Sequence, residues 1–153
     1  MPDPVLEVRR LGVTFASDEG DVRAVDDLDF DLERGSTLAI VGESGSGKSV
    51  TGLALMRLLA PTARLDPESR ILLHRRDGST LALHALPPHS RQLQAVRGRD
   101  LAMVFQEPMS AFSPVYTIGQ HITEAAGAHR RIGRREAADL ASHLLDRVGI
   151  ANP

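Results

Sequence analysis

Along the first 35 positions, apolar and polar residues take turns. Leu6 and Val8, then Leu11, Val13 and Phe15, alternate with other residues, and the phase slips at Arg9–Arg10 as a β-bulge requires. Leu28, Phe30 and Leu32 alternate with Asp27, Asp29 and Asp31, which predicts a strand with one buried and one wet face, typical of an antiparallel sheet. Ser17 to Asp21 holds a glycine and acids and reads as the turn between these strands. After Arg34–Gly35 the pattern changes. Thr37 to Val41 (TLAIV) is almost continuously apolar, which predicts a parallel strand buried on both faces, and Leu101 to Phe105 (LAMVF) predicts a second. From Lys48 to Leu59 apolar residues leave almost no polar face, so a helix deep in the core is predicted there, ended by Pro61.

Further along, Ile71 to His74 and Thr80 to Leu83 predict short strands joined at Asp77–Gly78. Ser90 is placed to cap a short helix that runs to Arg97 and stops at Gly98. Beyond Gln106 the pattern turns helical. One segment spans Thr117 to Ala128. Another spans Arg134 to Val148, with Ala137, Leu140, Ala141, Leu144, Leu145 and Val148 on one face and Gly149 as its stop.

Between the TLAIV run and its helix lies the segment Gly42-Glu43-Ser44-Gly45-Ser46-Gly47-Lys48-Ser49. It fits G-x-x-x-x-G-K-[ST] at every fixed position. Glycines let such a backbone fold tightly, so that successive N–H groups point inward at phosphates. The helix that follows adds its own N-terminal N–H groups and dipole. Lys48 is placed to reach the β and γ phosphates of ATP, and the Ser49 hydroxyl to ligate Mg²⁺. The competing reading is an ordinary Gly-rich turn between strand and helix. A serine nucleophile would need G-x-S-x-G, a spacing this segment lacks.

Composition narrows the classes. The 153 residues fit one domain of ordinary size, 42% apolar and 25% charged, with only 3% aromatic, so aliphatic side chains must build the core. A formal net charge of −2 argues against a dedicated nucleic-acid binder. With no cysteine there is neither a disulfide nor a thiolate metal site. The start, MPDPVLEVRRL, lacks the pattern of a signal peptide, and no run of 18 apolar residues occurs. Of the 18 basic side chains, Lys48 is the one lysine. The six histidines show no HExxH-like spacing, and no metal site is assigned to them. Arg130, Arg131, Arg134 and Arg135 read as a solvated helix start.

The surroundings of the loop go further than the motif. IVGESGSGKS, then RQLQAVRGRDLAMVFQEPMSAFSPVYTIGQHI and LLDRVGIANP, resemble the ATPase subunits of ABC transporters, closest to the group importing dipeptides, oligopeptides and, in some members, nickel. The resemblance runs from Val5 to the last residue, and RGRDLAMVFQEPM and LLDRVGI are its more specific parts. Ser113 stands where that group usually has Asn.

The resemblance implies an α/β fold: part of a P-loop NTPase core, with an N-terminal antiparallel β subdomain (1–35), the core to the Q-loop (36–106) and the start of the helical subdomain (107–153). It implies that Gly42, Glu43, Ser44, Gly45, Ser46, Gly47, Lys48 and Ser49 hold ATP, and that Phe15 stacks on the adenine. Phe15 also reads as a plain core residue at a strand end. Gln106 matches the glutamine that ligates Mg²⁺ with Ser49 and senses the γ-phosphate. Glu107 follows it but does not stand at the position of the family's catalytic base.

Residues 110–121 resemble the region that docks on the coupling helix of a membrane subunit. The implied partners are a second ATPase subunit, identical or not, transmembrane permease subunits and, indirectly, a solute-binding protein, with no nucleic acid. The implied place is the cytoplasmic face of the inner membrane, as a peripheral subunit. The signature motif of LSGGQ type and the apolar motif ending in Asp-Glu do not occur in residues 1–153. Hydrolysis by these residues alone is therefore expected to be negligible. Two other readings stand beside this one: a gene remnant or nucleotide-binding module without transport activity, and an ABC ATPase that does not serve import.

Overall fold

The computed structural model describes residues 3–106, 112–129 and 132–150, in two compact units divided after Met103. The first unit is built on one antiparallel sheet. Strand β1 (Pro4–Phe15) pairs with β2 (Val22–Glu33) on one side. On its other side it pairs with β3 (Ala63–Leu65) near its end and β4 (Arg70–His74) near its start, and β4 pairs with β5 (Thr80–Ala82). The alternation of β2 is as the sequence predicts, with Asp27, Asp29 and Asp31 exposed and Leu28, Phe30 and Leu32 half-buried.

The predicted bulge is there. The register shifts between Val8 and Leu11, and Arg10 sits at φ 50°, opposite an irregularity in β2 where Asp27 sits at φ 47°. Carboxylates hold it: the Arg10 amide donates to Asp29 Oδ1 at 2.5 Å, and its guanidinium pairs with Asp27 and Glu68. One position earlier, Arg9 grips both carboxylate oxygens of Asp31 at 2.5 and 2.8 Å. That hydrogen bonding holds the Asp31 carboxyl below the usual range.

The β4–β5 turn forms at the predicted place, with Gly78 at φ 81° and Asp77 Oδ1 accepting from the Ser79 amide. Helix α2 (Arg91–Val96) starts on Ser90, whose hydroxyl accepts from the Leu93 amide, and Gly98 follows at φ 83°. The core gathers between the sheet and these short elements. Val8, Leu11, Val13, Ile71, Leu83, Leu93 and Val96 are fully or almost fully buried. In the second unit, α3 (Ile118–His129) and α4 (Arg134–Arg147) pack on one another, with Ala137 and Ala141 buried and Gly149 ending α4 at φ 82°.

Two expectations are corrected. Residues 37–41 and 102–105 form no strand; the parallel order predicted for TLAIV and LAMVF is limited to one isolated bridge between Arg97 and Leu101. A parallel strand takes its ladder bonds from neighbours, and among the described residues TLAIV has none and LAMVF only that bridge at Leu101. Their apolar side chains are correspondingly open, Val41 at 92% and Val104 at 91% exposure. The helix after the loop, α1 (Lys48–Leu55), is shorter than predicted and only Thr51 and Ala54 are buried along it. It ends before Pro61, because Arg57 turns left-handed at φ 55° and the amides of Arg57 and Leu58 close back on the carbonyls of Ala54 and Leu53.

Ile71 tests how far this core is one unit. Removing its buried side chain by Ile71→Ala should cost about 2–5 kcal/mol in urea unfolding. A loss below about 1 kcal/mol would show that the sheet does not depend on this packing.

Candidate functional site

The glycine-rich segment 42–47 is an open loop leading into α1. Gly45 and Gly47 stand at φ 83° and 87°, a left-handed region that side chains rarely tolerate. The loop is drawn in by one internal bond, the Ser46 amide donating to the Glu43 carbonyl at 3.2 Å. The amides of Gly45, Gly47, Lys48 and Ser49 have no backbone acceptor among the described residues. Free, closely spaced N–H groups at a helix start make an anion cradle.

Close packing fixes two of the glycines. A side chain on Gly47 would collide with the Ala24 carbonyl oxygen of β2. On Gly42, a Cβ would stand 2.6 Å from the Ser46 hydroxyl. The loop is thus pressed against β2 at its end and folded on itself at its start.

Lys48 supplies the charge. Its Nζ donates to the carbonyls of Gly42 at 2.7 Å and Glu43 at 2.6 Å, and to Ser46 Oγ at 3.2 Å. The ammonium therefore lies over the loop's own acceptors and has no carboxylate partner among the described residues. Ser49 is the second residue of α1 and exposed. These groups fit a phosphate chain with a hard cation: amides without backbone acceptors, one ammonium without a carboxylate partner and one open hydroxyl.

Beside the loop runs a cleft of about 420 Å³, lined by Ala24, Val25, Ile40, Val41, Ser46 and Lys48 among others. The β2 residues are the part of this site that the sequence does not signal. Ala24 and Val25 belong to no motif, and only folding brings them beside the loop. Phe15 ends β1, paired with Val22 and Ala63 and half-buried against the core, and it does not line this cleft. Gln106 belongs to the second unit and is exposed. Glu107, Ser110, Arg130 and Arg131 lie outside the described residues.

Comparison with known proteins agrees with the loop. The ABC transporter family profile matches residues 25–152. A Brucella melitensis protein assigned as a peptide import ATP-binding protein is 45% identical over 147 residues, covering 96% of this chain and 43% of that protein. The glutathione import ATP-binding protein of Escherichia coli K12 is 47% identical over 146 residues, covering 95% of this chain and 23% of that protein. The chain thus spans less than half the length of these relatives. Among solved structures, a dimeric bacterial ABC transporter cassette matches with a TM-score of 0.74 at 20% identity, over 92% of this chain and 56% of that one. A dimeric ATP-binding cassette in a post-hydrolysis state with ADP and Pi matches with a TM-score of 0.71 at 18% identity, with the same coverage. At those identities the structures speak to the fold alone.

The contact of Gly47 with β2 makes a sharp test. Gly47→Ala should weaken ATP binding at least about tenfold, or ~1.4 kcal/mol, by titration calorimetry. Gly78→Ala, another left-handed glycine but in open space, should leave binding unchanged. Equal affinities for wild type and Gly47→Ala would show that the loop geometry is not what holds the nucleotide.

Proposed function

The chain belongs to the ABC transporter family, and we propose that it is the phosphate-binding part of an ATPase that energises import of peptides or a similar solute. The observation that carries this is the Lys48 ammonium, held by three neutral oxygens of its own loop, whose amides at Gly45, Gly47, Lys48 and Ser49 lack backbone acceptors among the described residues. An entering phosphate offers Lys48 an anionic oxygen in exchange for those carbonyls. At ~4 Å such a contact is worth about 4 kcal/mol at an effective dielectric near 20, before desolvation is subtracted.

In this reading the Gly42–Ser49 amides grip the phosphates of ATP and Lys48 balances their charge. Ser49 would hold Mg²⁺, with Gln106 as the second ligand that the resemblance implies, and the ion would supply neutralisation of charge on the phosphate oxygens. Phe15 serves the adenine end. The partners are a second ATPase subunit and transmembrane permease subunits, which would keep the chain at the cytoplasmic face of the membrane. No helix among the described residues is long and apolar enough to cross a membrane, so contact with the bilayer would go through those subunits. The approach to α3 and its first residue support the permease contact. Phe112, Val115 and Tyr116 before the helix and Ile118 at its start are all exposed, Val115 at 79%. His121 meets Phe112 and Tyr116 edge-on at 5.4 and 5.9 Å, so the patch is locally ordered. Exposed apolar groups clustered in one short segment mark a contact surface.

We assign binding, not turnover, to these 153 residues. Attack on the γ-phosphate needs an oriented water and a group to place it, and no residue lining the cleft beside the loop, among the described residues, is set to do so. Lys48→Ala should weaken ATP binding at least about tenfold in fluorescence titration, and the unaltered chain should release phosphate no faster than a protein-free control. Mg²⁺-dependent turnover by the purified 153-residue chain, lost in Lys48→Ala, would overturn the second half of this assignment. Unchanged ATP affinity in Lys48→Ala would overturn the first.

A further inference from the structure

A larger cleft, about 690 Å³, opens at the other end of α1 and shares no lining residue with the cleft beside Lys48. Its walls include Arg57, Arg64, Arg97, His84, His89 and Asp66. Two of these charges are already matched: Arg64 pairs with Asp21, and Asp66 with Arg23. Arg57 and Arg97 have no carboxylate partner among the described residues. Two guanidinium charges thus stand near one another without compensation.

The bonds that hold these arginines are to neutral carbonyls. Arg97 donates from Nε to Met56 O at 2.9 Å and from Nη2 to Arg57 O at 2.7 Å, which caps the end of α1. Arg57 donates from Nη2 to Leu86 O at 3.2 Å, and its Nε is buried without a partner. Burial, and after it the charge of Arg97, lower the Arg57 guanidinium from its ordinary value. The environment is therefore short of negative charge.

Capping explains Arg97 but not Arg57. At φ 55° Arg57 occupies the left-handed position that ends a helix, where glycine is favoured. A residue with a side chain there costs about 1–3 kcal/mol. Arg57 is thus strained and incompletely bonded, and it lines the cleft with a second arginine that has no carboxylate partner among the described residues. His84 also lines the cleft, with its Nδ1 held 3.0 Å from the Ile71 amide and 3.2 Å from the Ile71 carbonyl.

We propose that this cleft is a second anion site, taking a phosphate dianion between Arg57 and Arg97, separate from the nucleotide loop. A dianion matches two unpaired guanidinium charges where a carboxylate would leave one over, and guanidinium forks suit phosphate oxygens. The source is either free inorganic phosphate or the phosphate of a monoester.

The test uses the 153-residue chain with Lys48→Ala, which removes the loop's ammonium. Inorganic phosphate should raise its unfolding midpoint saturably, and sodium acetate at equal ionic strength should not. Adding Arg57→Gly should keep or raise the midpoint without phosphate, because glycine is at ease at this φ. It should also weaken phosphate binding roughly ten- to a hundredfold, the worth of one charge-assisted bond. Side-chain N–H resonances of Arg57 and Arg97 in the Lys48→Ala chain should shift together with one affinity, which keeps the test valid if the double variant fails to fold. Glycerol phosphate binding more tightly than inorganic phosphate assigns the site to a monoester, and the reverse assigns it to the free ion. No shift of these resonances with phosphate, an equal effect of acetate, or full phosphate affinity after Arg57→Gly would overturn the proposal.

Discussion

The Ala24 carbonyl of β2 stands where a side chain on residue 47 would have to go. That one contact ties the antiparallel sheet to the phosphate loop. It demands glycine at the last loop position, and glycine in turn permits the left-handed turn, φ 87°, that aims the following amides outward from the start of α1. The sheet is thus more than a scaffold standing beside the loop. Its second strand sets the height at which the loop can lie, and supplies Ala24 and Val25 as the wall of the adjoining cleft. A fault in the β1–β2 pairing would be felt at Lys48 through this contact, even though no side chain of β2 belongs to the motif.

Much of this was legible in the sequence, for physical reasons that differ by element. The β2 aspartates alternate with apolar residues because one sheet face is wet, and local alternation records that directly. Ser90 and Gly98 mark the two ends of α2 because caps are local chemistry. The loop was legible because its glycines answer to backbone geometry. The failures share the opposite property. TLAIV and LAMVF have the composition of buried parallel strands, but composition does not provide the neighbours that pair with them. Among the described residues those neighbours are absent, and Leu38, Ile40 and Val41 are left exposed. The solved cassettes that this fold resembles are longer chains, of which it covers 56%. The end of α1 was misplaced for a related reason. Pro61 is a visible stop, but the helix yields earlier, to Arg57 and to a cap from Arg97 that lies 40 residues on.

The site was legible in part only. Gly42 to Ser49 is contiguous in sequence and stays contiguous in space. The β2 wall is assembled from residues with no motif of their own, so nothing short of the folded sheet could have named it. Phe15 had two readings, and its half-buried place between Val22 and Ala63 is compatible with packing whatever else it serves. The bulge at Arg10 shows the same limit from the other side. The phase slip was visible, but the carboxylates of Asp27, Asp29 and Glu68 that hold the slipped residue in place were not.

The chain's choice of cations separates its two clefts. It uses arginine wherever a charge has to bridge strands or cap a helix, as Arg9 does on Asp31 and Arg97 on the end of α1. A planar fork with several donors is pre-organised for such tasks. At the loop it uses its one lysine. There the cation must sit among three oxygens drawn from a few neighbouring residues, Gly42, Glu43 and Ser46. A compact ammonium on a flexible stem can occupy that space and later leave it for a phosphate, while a guanidinium is too broad to be surrounded in this way. The same reasoning separates the proposed modes of anion binding: Lys48, on its flexible stem, would exchange loop oxygens for a ligand's, whereas Arg57 and Arg97 are held in place by carbonyl bonds.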